Sequence, residues 1–228
     1  MNLNNFEQKI WSQNGEDGIT MKLIELLDIN EQKFYVEFGV ENGNECNTKI
    51  LRELKWDGLI MDGGYENKNI NLQKEFITKE NINELFKKYN VPKKINVLSV
   101  DIDYNDFYVL KEIIKEYTMD IIICEYNSSH LPTEDCIVIY NPQGKWDGTN
   151  YFGVSLLTLT KLLTDYILVC CDNNGVNAFF IHKKFNKNII SLETDILKLY
   201  KPPKYGRNGH PKDYLNRKYI SFNESLLY

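Results

Sequence analysis

The stretch Phe34-Tyr-Val-Glu-Phe-Gly-Val-Glu-Asn-Gly-Asn-Glu-Cys-Asn47 decides how the chain is read. The β-forming residues Phe34 to Phe38 break at Gly39 into glycines and amides, so a strand ends where a ligand can approach bare backbone. About twenty residues further on, a second apolar run, Gly58-Leu-Ile-Met61, ends in Asp62, where α/β nucleotide sites place the carboxylate that accepts ribose hydroxyls. Together the two strand ends predict a small adenosyl-like ligand.

Outward from this stretch, short strands alternate with helical spacing. Strands are predicted at 34–38, 58–61, 75–78, 95–101 and 120–126, with helices at 46–55, 67–74, 81–89 and 105–117 between them. A helix over 18–27 precedes them, with Ile19, Leu23, Leu26 and Leu27 on one face and the cap-forming Ser12-Gln-Asn-Gly-Glu-Asp17 ahead of it. A loop over 128–150 and a helix over 154–163 lead to two final apolar runs, Tyr166–Cys171 and Val176–Ile181, joined by the hairpin turn Asp172-Asn-Asn-Gly175. The pattern is that of a doubly wound α/β, Rossmann-like sheet of about seven strands, mostly parallel, with helices on both faces. Its closing antiparallel hairpin sets it apart from dinucleotide-binding domains, which end in another parallel strand.

Composition narrows the function classes. A chain of 228 residues, 43% hydrophobic and 13% aromatic, can bury a full core. The formal charge of -5 and pI near 5.4 disfavour nucleic acid as a partner. No apolar run approaches a membrane span, and no membrane partner is expected. Cys46, Cys124, Cys136, Cys170 and Cys171 lack CxxC spacing and read as reduced core residues of a cytoplasmic protein. The pattern ends near residue 188, leaving residues 189–228 as a C-terminal appendage rich in tyrosine and basic residues.

The chain resembles the S-adenosylmethionine-dependent methyltransferases of the FkbM-like kind, many of which O-methylate sugars. The resemblance spans roughly residues 12–182 and rests on Ser12–Asp17, Val36-Glu-Phe-Gly39, Asp62, Leu98-Ser-Val-Asp-Ile-Asp103 with Asn105-Asp106, and Asn174-Gly-Val-Asn-Ala-Phe-Phe180. It departs from the family after Asp101, where an Asp-Val-Glu-Gly run is usual and Asp101-Ile-Asp-Tyr104 has no glycine. It implies a class I methyltransferase domain over 1–188, including an N-terminal helical cap. It also implies that S-adenosylmethionine is the methyl donor, with a hydroxyl of a saccharide or glycosylated small molecule as acceptor. Gly39 would then admit backbone to the methionine part, Glu37 accept from its amino group and Asp62 hold the ribose. Gln13 and Asn14 would fold over the methionine end, and Asn42, Gly63 and Asp101 complete the cofactor set. Each residue has a plainer use: Gly39 in a tight turn, Asp62, Ser12 or Asn14 in a cap.

The acceptor side rests on spacing. Asp101 and Asp103 lie two apart at one strand end, and Glu125 and Asn127 repeat the spacing at the next. Such an oxygen-rich group fits a hard divalent ion, Mg²⁺ or Mn²⁺; otherwise Asp103 and Glu125 cap helices or pair with lysines. His130, in the loop after Glu125, is the candidate general base, with Asp101 beside it, and is equally a loop histidine. His182 and His210 read as structural or solvated. Tyr126, Trp146, Asp147 and Tyr151 offer rings and polar groups for a sugar, or else an ordered loop around a buried tryptophan. The tail could cover the acceptor, pair protomers in a homo-oligomer or touch a phosphate-bearing substrate. An NAD-dependent oxidoreductase is the competing enzyme, although no GxGxxG follows the first strand. An inactive interaction module on the same fold is the third reading.

Overall fold

Alternation along one short strand sorts the core into two layers. In the computed structural model, which describes residues 1–228, strand β1 (Phe34–Phe38) sends Val36 and Phe38 into one buried cluster and Tyr35 into the other. The first cluster is closed by α3 (Ile82–Lys88), α4 (Asp106–Glu116) and α5 (Leu156–Leu162), through residues such as Phe86, Phe107, Leu110 and Leu159. The second is closed by α1 (Glu16–Leu26) and α2 (Lys49–Glu53), through Ile19, Leu23 and Leu51. Helices therefore cover both faces of one sheet.

The remaining strands are β2 (Asp57–Asp62), β3 (Leu72–Lys74), β4 (Lys94–Val100), β5 (Thr118–Glu125), β6 (Tyr166–Cys171) and β7 (Asn177–His182). Their order across the sheet is β3-β2-β1-β4-β5-β7-β6. β1 pairs in parallel with both β2 and β4, so the winding reverses between β1 and β4 and opens a crevice above their carboxyl ends. β7 runs antiparallel between β5 and β6. The fold is thus the expected α/β, Rossmann-like one, closed by an antiparallel pair.

Two local expectations change. The helix over 67–74 is instead a 3-10 turn at Lys68–Ile70 followed by β3, so the strand falls three residues earlier than expected. Asparagines cause this: the Asn67 side chain accepts from the Asn69 N–H, and Asn71 takes a left-handed φ of 52°, which ends the turn and turns its amide toward the Gly58 carbonyl. The cap of α1 is Gly15 (φ 112°), not Ser12 or Asn14. Residues 189–228, expected as an appendage, contribute Leu199 and Ile220 to the first cluster and Ile189 and Leu192 to the second. No helix is long and apolar enough to cross a membrane.

Candidate functional site

The crevice at the carboxyl ends of β1, β2 and β4 is held open by close backbone contacts. Gly39 has φ 70°, and a Cβ there would lie 1.5 Å from the Asp101 carbonyl oxygen, so only glycine lets these strand ends meet. Asp62 braces the other side: Oδ2 accepts from the Glu41 N–H at 2.8 Å, and Oδ1 from the Gly64 and Tyr65 N–H groups at 2.7 and 3.2 Å. One of its lone pairs stays free for a ligand. Glu37 is buried and holds the turn into α2, accepting from the Asn47 and Thr48 N–H groups and the Thr48 hydroxyl at 2.6–2.9 Å. Desolvation raises its pKa, and the Thr48 bonds oppose this.

Two cavities share this crevice. One, of about 320 Å³, is lined by Gly39, Asp62, Gly63, Phe76, Ile77, Ile102, Asp103, Lys145 and Trp146, among others. The second, of about 750 Å³, runs from Gln13, Asn14 and Asn42 past Asp101 and Glu125 to Tyr205 and His210. Gly39, Asp62, Asp103 and Trp146 line both. The larger cavity carries seven carboxylates, Glu37, Glu41, Glu45, Asp62, Asp101, Asp103 and Glu125, and neither a lysine nor an arginine.

Carboxylate oxygens of Asp101, Asp103 and Glu125 come within 4.8 Å of one another. Behind them, Asp106 is buried with Oδ1 accepting from the Ile102 N–H at 2.7 Å. Asp106 Oδ2 and Glu125 Oε2 are sealed from solvent with no partner. Burial and then mutual repulsion push Asp101 and Glu125 well above the usual carboxylate range, and burial brings Asp106 to about 7. Asp103 is raised by burial and by Glu41 and Asp62, and sits at a left-handed φ of 64°.

The N-terminal motif is a closed polar knot beside this cavity. Asp17 Oδ2 accepts from the N–H groups of Ile10, Trp11 and Ser12 and from the Ser12 hydroxyl. Glu16 accepts from Asn14 and from Asn177 Nδ2, and Asn174 Nδ2 donates to Asn14 Oδ1. Gln13 and Asn14 therefore reach the cavity as an edge pinned to the β6–β7 hairpin.

Several residues expected in the site are used elsewhere. Asn127 is fully buried; its Nδ2 donates to the Asn150 and Phe152 carbonyls and its Oδ1 accepts from the Ser129 N–H, so it stays out of the acidic cluster. Tyr126 donates to the Lys201 carbonyl at 2.8 Å and anchors the tail. Tyr151 is buried against Tyr104 and Tyr219, and Asp147 pairs with Arg217 at 2.6 Å. His130 packs edge-on to Tyr219 at 4.4 Å, 3.8 Å from Glu134, and borders neither cavity. Of these loop residues only Trp146 lines the cavities. The positions missed include Glu41, Glu45, Phe76, Ile77, Ile102, Tyr205 and His210; for the last two, the glycines Gly206 and Gly209 around a tight loop were the available signal. Compared with known proteins, the chain matches no family model and no curated protein.

Proposed function

We propose that the protein transfers the methyl group of S-adenosylmethionine to a hydroxyl of a saccharide or glycosylated small molecule, with help from a divalent cation. The observation that carries this is the wall of seven carboxylates, lined by no lysine or arginine, of which only Glu45 is paired to one, Lys9 at the rim. The methionine end of the donor bears a sulfonium and an ammonium, both complemented by such a wall. The smaller cavity offers Phe76, Ile77 and Ile102 to a purine, and Asp62, shared by both cavities, stands where the ribose would join the two parts. The pyrophosphate of NAD would face the same carboxylates with Lys145 of the smaller cavity as the one basic side chain lining the crevice, which disfavours the oxidoreductase reading. An interaction module has no use for buried, unpartnered carboxylates that cost stability.

The chain's own groups have separable tasks. Gly39 and the Asp62 brace shape the donor's seat, and Trp146 stands between the cavities as the wall against which donor and acceptor would meet. Holding the acceptor oxygen in line with the methyl carbon can supply about 7–11 kcal/mol of barrier lowering, and a positioned base about 10²–10⁴-fold. Positioning therefore dominates. Asp101, Asp103 and Glu125 fit Mg²⁺ or Mn²⁺: they are hard oxygen donors at clustered distances, and Glu125 Oε2 has no protein partner. When bound, such an ion would supply Lewis-acid polarisation of the acceptor hydroxyl.

Calorimetric titration with S-adenosylhomocysteine and with NAD, followed by a labelled methyl-transfer screen over nucleotide-sugars, free saccharides and small phenols, tests the reading. Binding of NAD with none of S-adenosylhomocysteine would overturn it. Retained transfer in excess chelator would remove the cation alone.

A further inference from the structure

The tail passes over the carboxyl end of the sheet along residues 200–210. Tyr200 donates to the Ser128 carbonyl at 2.7 Å, and the Lys204 N–H donates to the Asn174 carbonyl at 2.9 Å. Gly175, at the hairpin turn with φ 73°, lies so close beneath this segment that a Cβ would stand 2.6 and 2.7 Å from the Pro202 and Lys201 carbonyl oxygens. The chain then folds tightly, the Gly209 N–H donating to the Tyr205 carbonyl at 2.8 Å, with Gly206 and Gly209 at φ 56° and 105°. This loop delivers Tyr205 and His210 to the cavity wall that also bears Asp101, Asp103 and Glu125.

His210 is held there by rings alone. Its imidazole centroid lies 4.4 Å from Trp146, 4.8 Å from Tyr205 and 5.5 Å from Phe152. Neither ring nitrogen has a protein partner, and neither is sealed away, in contrast to His130 Nε2, which is buried without one. Burial lowers the His210 pKa with no carboxylate beside it to raise it, so the ring is neutral near pH 7 and keeps a lone pair.

We propose, resting on the methyl-transfer reading above, that His210 is the general base that deprotonates the acceptor hydroxyl and that the Tyr205–His210 loop walls the acceptor site. The hydroxyl oxygen bonds to the methyl carbon as the carbon–sulfur bond breaks. Sulfur keeps that electron pair and leaves as the neutral thioether of S-adenosylhomocysteine. The hydroxyl proton passes to the free His210 nitrogen and from there to water.

The test uses the full chain and His210→Phe, which keeps a ring in the aromatic box, beside His210→Gln. Both variants are expected to melt within a few degrees of wild type and to bind S-adenosylhomocysteine within about threefold, while kcat on the best acceptor of the screen falls about 10²–10⁴-fold. Mass spectrometry after diethylpyrocarbonate treatment of the free protein should find His210 carbethoxylated and His130 spared. A kcat within about fivefold of wild type in both variants overturns the base. An unreactive His210 in the free protein overturns it as well. Wild-type protein that binds no S-adenosylhomocysteine breaks the functional reading, and the base with it; wild type and variants that transfer equally break the base alone.

Discussion

The two ends of the sheet both bury carboxylates and treat them in opposite ways. At the amino end, Asp120 is 1% exposed and fully answered: Asn96 Nδ2 donates to it at 2.7 Å, Lys184 pairs with it, and Lys94 stands 3.6 Å away. At the carboxyl end, buried Asp106 and half-buried Asp101 and Glu125 pair with no lysine or arginine, and one oxygen each of Asp106 and Glu125 is sealed without a partner. A protein neutralises a buried charge where the charge serves the fold. Left unanswered, such a group invites a ligand, which is why the second cluster is the candidate site.

Among the substitutions, removing the answered charge should cost most. Asp120→Ala strands the Asn96 amide and two lysines; because both lysines reach solvent, the loss is expected at the low end for a buried pair, about 3 kcal/mol, or about 6–12 °C in melting temperature. Calorimetric melting checks this, and a change of a degree or so would show that the network is not structural. Glu125→Gln should have the opposite sign. Relieving repulsion and burial of charge raises stability in chelator by about 0.5–2 kcal/mol while methyl transfer falls. A destabilised Glu125→Gln would break the comparison.

The pH dependence separates the ends further. Asp106 at about 7 and Asp172 at about 6 have folded pKa values raised by burial. A group raised in the folded state contributes stability that is fully present below its unfolded pKa and lost as pH rises through the folded one. Stability in chelator should therefore fall between about pH 4 and 7, by up to 1.4 kcal/mol for each unit of upward shift. Melting temperatures across that range give the slope, and a rise with pH would contradict it. The smallest effect is expected at the exposed rim, where the Lys9–Glu45 pair at 3.0 Å is more than half exposed on both sides. Lys9→Ala should change stability by less than about 1 kcal/mol, and less again in high salt, as chemical denaturation would record.

What was legible in the sequence followed from local chemistry. Asp62 and Gly39 could be read as strand ends because apolar alternation stops at them, and both do line the crevice. Asp101, Asp103 and Glu125 could be paired across neighbouring strands by the same two-residue spacing. Asn127, read by that spacing as a fourth member, is turned inward because the loop from Asn150 to Phe152 needs its amide. His130 looked near the cluster in sequence, and Tyr219, far along the chain, holds it away. His210 was set aside as a tail residue, and the Tyr205–Gly209 turn brings it to the cavity.

By itself the sequence determined the alternation of strands and helices, the hairpin turn at Asp172–Gly175 and the carboxylates at strand ends. These depend on neighbours two to four residues away, which is the range over which side-chain periodicity acts. Only the tertiary structure decided that β7 slips between β5 and β6, that the tail crosses Gly175, and that a histidine there shares a cavity with carboxylates from strands about a hundred residues earlier. Such placements rest on contacts between distant segments, and these leave no period in the chain.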